Sequence, residues 1–383
     1  MKRFSKLNGV LCAVLFGCSM ALYATEKDGY DLTGLSFDGP YDEAIVNGGI
    51  HIVAQQCDDG GWGWPHNVCS SSAYNITAPI IDGVLAAYDA SNLSVFMSSA
   101  VAAADFNLNS TYGGSGAGAG SPKLGSQTAL NLWYMTQRTG DTTYTDWVKN
   151  GFYEALLAGT YGGNADMNAQ DYIDAVRTSP PWQNLKPWEL ANQVLAAERY
   201  CYQGIAGQFE QGILDALANL DNTDPGTQYT DILGVVGGVQ GLANVNRLTF
   251  PEIVAPNQLG VNGSTTLEEL ADYLVSLQNP NGSFNWHSNL AAPTASDEDL
   301  QTTAYAVMAL IKAQERLPAK NYLPAIESAK VWIAALQEND GGFPSYPGGS
   351  YYNVEVEAEA VHALGKEGVY DRIFKGQMEC YVN

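Results

Sequence analysis

Basic residues are scarce in this chain: 18 Lys and Arg stand against 41 Asp and Glu among 383 residues, a net charge of −23. Lys2, Arg3 and Lys6 all fall in the first few positions. Without residues 1–24, 15 basic residues face 41 acidic ones, a net charge near −26. Such a surface repels phosphate backbones and anionic lipid, so nucleic acid is excluded as a partner. Long apolar runs are also missing beyond the N-terminus, and no later segment approaches the ~20 residues needed for a membrane span. Gly-x-Ser-x-Gly, phosphate-loop and dinucleotide-binding fingerprints are absent, which removes the motif-bearing hydrolases, P-loop NTPases and nicotinamide enzymes from consideration.

The apolar run that does exist is short. A basic start, the stretch Val10 to Phe16 and the small residues Ala21 and Ala24 form a secretory signal. Leu15-Phe16-Gly17-Cys18 also has the outline of a bacterial lipoprotein box. Residues 1–24 are thus expected to be removed and 25–383 to form one domain, secreted or periplasmic, with lipid anchoring at Cys18 at the cell surface as the alternative. The mature chain is expected to be soluble. Cysteine is sparse. Cys12 and Cys18 go with the signal, leaving Cys57, Cys69, Cys201 and Cys380 in an oxidising compartment, where disulfides are the default. The expected pairs are Cys57–Cys69 and Cys201–Cys380. No Cys or Cys/His spacing typical of zinc occurs, and no metal or cofactor is expected, with calcium as the exception to test.

What the chain does have is repetition. Three times an apolar-periodic stretch runs into Gln, two residues, Asp or Asn, Gly, Gly or Ser, and an aromatic: Gln56 to Trp62, Gln278 to Phe284 and Gln337 to Phe343. Around these copies, helical segments recur every 50–60 residues, which counts out six pairs. First members fall near 42–56, 93–106, 143–159, 204–220, 266–278 and 322–337. Second members fall near 77–89, 126–138, 187–202, 228–244, 299–314 and 354–366. Leu300, Ala304, Val307, Met308 and Ile311 follow helical spacing, and strand alternation is nowhere sustained. Alanine-rich second members suit a close inner ring. Long loops at 58–75, 107–125 and 160–186 all connect first to second members, so they share one face.

The repeated Gln-x-x-Asp-Gly-Gly-aromatic turn, followed by a helix such as Asp299-Leu-Gln-Thr-Thr-Ala-Tyr-Ala-Val-Met-Ala-Leu310, resembles the squalene-cyclase and protein-prenyltransferase superfamily. That resemblance covers nearly the whole mature chain and implies an all-α (α/α)6 toroid, with the glutamine, glycines and aromatic tying the outer helix to the next turn. Trp62, Phe284 and Phe343 are therefore expected to be buried. The family's chemistry does not carry over. A cyclase acid would need Asp-x-Asp-Asp, and Asp297-Glu298-Asp299-Leu300 breaks it at the fourth position. Those acids equally suit a helix start. A prenyltransferase zinc site would need cysteine where Gln301 stands and histidine where Glu357 stands.

Matching Ala306-Val307-Met308-Ala309-Leu310 to Ala360-Val361-His362-Ala363-Leu364 sets Gln301, Tyr305 and Met308 in register with Glu355, Glu359 and His362. Each trio, at i, i+4 and i+7, is one helical stripe, read as pore-lining. The same alignment places Asp82 and Asn192 level with Glu359. In a closed ring the first and sixth units are neighbours, so Asp82 and Glu359 should face the lumen on adjacent helices. Paired carboxylates in a confined site are suited to acid/base work, as in glycoside hydrolysis. Glu355, Glu359, Asp82, His362 and Tyr305 are the catalytic candidates. Trp64, His66, Trp286, His287, Tyr346, Gln301 and Asn192 are the binding candidates, since loop aromatics beside polar groups suit sugar rings; Trp64, His66, Trp286 and His287 should be the freest.

Three functional readings follow. The first is an extended extracellular ligand, a polysaccharide above all, bound at the loop-rich mouth and cleaved by a glycoside hydrolase or polysaccharide lyase. A lyase acting on uronic acids would need a cation such as Arg138, Arg177 or Arg199. The second is a non-catalytic binding module. The third, from the resemblance, is cyclase-like action on a hydrophobic substrate. A calcium loop at Asn164, Asp166, Asn168 and Asp171, or at Asp221 to Gly226, competes with an ordinary turn.

Overall fold

A computed structural model describes residues 35, 37–64, 69–70, 72–109, 126–161, 167–177, 185–217, 232–244, 266–287, 297–349 and 353–365. The chain divides into two compact units, Met1–Ser36 and Phe37–Asn383. Of the first unit only Leu35 is described, so the expected signal, with Cys12 and Cys18, lies outside the described residues.

The second unit is helical, and β structure among the described residues amounts to isolated bridges such as Gly63 to Ser72. Six helices are inner: α2 (Tyr74–Ser91), α4 (Ser126–Thr139), α8 (Gln193–Arg199), α10 (Ile232–Asn244), α12 (Leu300–Arg316) and α14 (Val354–Leu364). Outside them lie α1 (Asp42–Val53), α3 (Ser94–Asn109), α9 (Gln203–Leu217), α11 (Leu267–Ser276) and α13 (Leu323–Leu336). The third outer helix is broken into α5 (Thr143–Val148), a π-helical turn Lys149–Tyr153 and α6 (Glu154–Ala158). This is the expected α/α toroid. The loop at 160–186 differs from expectation by holding an extra helix, α7 (Ala169–Arg177). Its N-terminus is fixed by reciprocal bonds, Asn168 N to Asp171 Oδ2 and Asp171 N to Asn168 Oδ1, both 3.0 Å. Asn168 and Asp171 thus serve a helix start; Asn164, Asp166 and the 221–226 loop lie outside the described residues.

Inner and outer helices differ as their surroundings demand. Every residue of α10 is buried, as a helix enclosed on all sides requires. The outer helix α11 starts with a capping box between Thr266 and Glu269 and buries only Leu267, Leu270, Ala271 and Leu274. The ring closes through α2 on α4, α4 on α8, α10 on α12, α12 on α14 and α14 back on α2. Between α8 and α10, Asn244 Nδ2 donates to the Ala191 carbonyl at 2.8 Å and to Asn192 Oδ1 at 2.7 Å. At the seam, Gly83 of α2 lies so near the α14 backbone that an added Cβ would strike the Ala358 carbonyl.

The repeated turn is the clamp between units. Gln56 Nε2 donates to the Gly60 carbonyl of its own turn and to Ser99 O on the next outer helix. Gln278 does the same to Gly282 O and Ala325 O, and Gln337 to Gly341 O and Ala44 O. The last bond joins unit six to unit one. Gly60, Gly282 and Gly341 have φ of 88°, 96° and 93°, which explains glycine at that place in each turn. Trp62, Phe284 and Phe343 are fully buried beneath the turns.

Cys57 and Cys69 form a disulfide across the first of these loops. Cys201 is also disulfide-bonded, and Cys380 lies outside the described residues. Among the described residues no helix is long and apolar enough to cross a membrane.

Candidate functional site

All six inner helices contribute to one cavity of about 60 Å³ along the lumen. Asp82 and Leu85 come from α2, Gln127, Leu130 and Tyr134 from α4, Leu195 from α8, with Asn192 just before it, and Gln240 from α10. Tyr305, Met308 and Lys312 come from α12 and His362 from α14. The lumen stripe read from the sequence therefore lines a real space at Tyr305, Met308 and His362.

Glu359 is 1% exposed. Its carboxyl accepts two bonds from Gln301 Nε2, at 3.2 Å to Oε1 and 2.9 Å to Oε2, and is also hydrogen-bonded to Tyr305. Burial drives its proton affinity well above the usual carboxyl range, and the nearby Glu355 adds to this. The bonds from Tyr305 and Gln301 act in the opposite direction. Glu355, one turn nearer the helix start, is pushed up to about 7 by loss of hydration. Two carboxyl groups on one helix face thus hold protons where an exposed pair would be ionised. Burial, reinforced by Glu359 and Glu355, likewise raises the Tyr305 hydroxyl well above its ordinary value, so it remains a proton donor in the bond to Glu359.

Asp82 occupies the same lumen from the neighbouring helix and accepts from Asn131 Nδ2 at 2.9 Å. His362 has its proton affinity lowered, first by burial and further by Lys312 and Lys330, while Asp82 and Asp89 oppose this. Two of the binding candidates prove to be internal supports. Gln301 holds Glu359, and Asn192 donates to the Pro187 carbonyl at 3.2 Å while accepting from Asn244.

The rim is less uniform than the sequence reading expected. Trp64 and Trp286 are open, 55% and 46% exposed. His287, expected to be free beside them, is only 9% exposed: its ring packs edge-on against Trp286 at 4.2 Å, and its Nε2 lies 3.7 Å from Asp297 Oδ1. Trp286 N donates to the Asp297 carbonyl at 3.2 Å, which sets Asp297 beside His287, a neighbour that residue type alone could not reveal. Tyr346 is half-buried, and His66 lies outside the described residues. Asp299 caps α12, accepting from Thr302 N at 2.7 Å, which is the helix-start role of that acidic run. Where a prenyltransferase would have a metal-binding histidine, Glu357 instead pairs with His51 Nδ1 at 3.0 Å across the α1–α14 seam. No cluster of three or more potential metal-ligating side chains occurs among the described residues.

Arg138 forms a two-pronged pair with Asp89, both bonds 2.9 Å, and Arg199 is buried against Trp133. Neither lines the lumen cavity; Lys312 does. The sequence reading missed Lys312, Gln240 and Trp188. Trp188, in the loop before α8, brings its ring 5.6 Å from that of Tyr305. Lys312 and Gln240 could have been found by extending the i, i+4, i+7 stripe to other helices; Trp188 gives no such signal.

No family model matches the chain. Drimenyl diphosphate synthase of Streptomyces showdoensis is 29% identical over 98 residues, 26% of this chain but only 17% of that protein. Solved structures cover far more. An unsaturated glucuronyl hydrolase specific for heparin matches at 12% identity and a TM-score of 0.54, over 87% of this chain and 96% of that one. The unsaturated glucuronyl hydrolase from Bacillus sp., described as responsible for degradation of glycosaminoglycan, gives 12% and 0.53, over 88% and 96%. An inactive variant of an α-1,6-mannanase of Salegentibacter sp., solved with α-1,6-mannotriose, gives 10% and 0.51, over 85% and 98%. At these identities the likeness shows the fold, the α/α toroid, and leaves chemistry to the residues.

Proposed function

We propose that this protein is a glycan-cleaving toroid that acts outside the cytoplasm, with Glu359 and Glu355 as proton-holding groups and Asp82 as the base facing them. The observation that carries this reading is the Glu355–Glu359 pair, one turn apart on α14, with Glu359 oriented by Gln301 and Tyr305. Glycosidic hydrolysis needs one carboxyl that keeps a proton for the departing oxygen and one carboxylate that takes a proton from water. Burial supports the first role at Glu359. Asp82, on the adjacent helix and held by Asn131, takes the second. His362 and Tyr305 assist by holding hydrogen bonds in the lumen. Trp64 and Trp286 offer open rings for the sugar chain at the rim. Three of the solved toroids named above act on carbohydrate according to their descriptions, which supports the substrate class. The N-terminal signal supports a secreted or periplasmic protein, or one anchored through Cys18.

The test is release of reducing sugar from a panel of neutral and acidic polysaccharides. The expected result is release from at least one of them, lost in Glu359→Gln. Binding without release would replace catalysis with the binding-module reading; neither release nor binding would end the carbohydrate reading.

A further inference from the structure

The lumen below Glu359 has a shape and a polarity of its own. Tyr305 and Lys312 mark its span along α12, seven residues or about 10 Å of helix. Over that length the cavity has only about 60 Å³, room for a few waters. Leu85, Leu130, Leu195 and Met308 narrow it. A polysaccharide strand cannot thread such a shaft. Nor does a strand lying flat across the mouth meet Glu359, which is 1% exposed and one turn below Glu355. A single exocyclic hydroxyl of a chain end can enter the shaft.

Two buried acceptors, one in the wall and one beside it, lack a donor. Gln240, 2% exposed, lines the shaft with its Oε1 unpartnered, and buried Asn131 binds Asp82 through its nitrogen while its Oδ1 has no partner. Native proteins seldom bury acceptors unsatisfied, because each costs about 1–3 kcal/mol. A sugar hydroxyl supplies the missing donor. Resting on the glycan reading above, we infer that the shaft receives an exocyclic hydroxyl of a terminal sugar and that the protein works from a chain end. The terminal ring sits beside Tyr305 and Trp188, and one exocyclic hydroxyl reaches down to donate to Gln240 Oε1. Hydrolysis then adds water across the terminal glycosidic bond: the leaving oxygen gains the Glu359 proton, water gives its proton to Asp82, and a single sugar departs.

The experiment compares linear six-sugar α-glucan, β-glucan, mannan and xylan oligosaccharides with cyclic α- and β-glucans, which have no ends. Binding is read by tryptophan fluorescence and products by chromatography. The expected result is that linear chains bind and shorten one sugar at a time, that cyclic ones neither bind nor react, and that Gln240→Leu weakens linear binding about tenfold with an unchanged melting temperature. Fragments of intermediate length at early times, or cyclic ligands binding as well as linear ones, would overturn the end-on pocket while leaving glycan cleavage standing. Linear binding without cleavage, still weakened by Gln240→Leu, supports the pocket and removes the catalytic reading instead. Absence of binding to all the sugars overturns both.

Discussion

The side-chain amide of Gln337 donates to the carbonyl of Ala44 at 2.8 Å, joining the last outer helix of the ring to the first across 293 residues of sequence. A second bond, to Gly341 O at 3.1 Å, holds the turn that presents it. Replacing Gln337 with Ala removes both bonds, so stability should fall by about 2 kcal/mol. Denaturant unfolding measures this. Because Gln337 lies away from the lumen, any glycan binding by the folded variant should match that of the parent.

Gly282 has φ of 96° and its missing Cβ would press on the Ser328 carbonyl, whereas Gly140 has φ of 76° with nothing within 4 Å. Both Gly→Ala changes incur left-handed backbone strain of about 1–2 kcal/mol. Only Gly282→Ala also forces the α11 turn away from α13. Its unfolding midpoint should therefore drop clearly further than that of Gly140→Ala, and equal drops would show that the close approach has no energetic weight.

The Cys57–Cys69 disulfide closes a short loop between an outer and an inner helix, with a separation of 12 residues. Constraining the unfolded chain to that extent contributes about 3 kcal/mol. The double Cys→Ser variant should melt several degrees lower than the parent under non-reducing conditions, by differential scanning calorimetry. Trp64, which lies inside the loop, should also become more accessible to a fluorescence quencher.

Glu355 carries a folded-state proton affinity of about 7, against an ordinary carboxyl value of 4.5, and Glu359 is shifted in the same direction. The folded state therefore binds more protons than the unfolded one between these values, and stability declines as pH rises through that window. The melting temperature should fall between pH 4.5 and pH 7 and beyond. In Glu355→Gln/Glu359→Gln the decline should flatten, and above pH 7 the variant should be the more stable protein. An unchanged slope would mean that these carboxyls titrate as exposed ones.

Asp82 lines the lumen cavity from α2, and Glu359 stands on the adjacent helix α14. If they divide the base and acid roles, Asp82→Asn and Glu359→Gln should each lower turnover at least 100-fold with little change in substrate binding, and the double variant should be no worse than about the weaker single. Turnover should also fall as pH rises and the donor proton is lost. Kinetics of sugar release across pH 4–9 checks both points.

The six-unit ring, its inner and outer helices and the clamping role of the Gln-Gly-aromatic turn were legible in the chain because they rest on short-range periodicity and on glycines demanded by backbone angle. Register along the inner helices was legible for the same reason, which is how Tyr305 and Met308 could be set level with Glu359 and His362 on matching stripes of two helices. Side-chain pairing was not. Gln301 reads as a ligand-binding amide until the fold sets it against Glu359, and Asn192 until Asn244 and Pro187 satisfy it. His287 reads as a freely exposed rim residue until Trp286 and Asp297 pack against it. Helix α7 escaped although Ala169, Tyr172, Ile173 and Val176 follow helical spacing, because it is only 9 residues long and lies inside the long 160–186 connection.

By itself the sequence determined an acidic toroid with one decorated mouth, since charge balance, helical period and turn chemistry are local properties. Only the tertiary structure decided which polar groups are spent on holding one another and which line the lumen. Burial and long-range contacts set proton affinity and access, and residues such as Gln301 and Glu359, 58 positions apart, acquire their relation only when the ring closes.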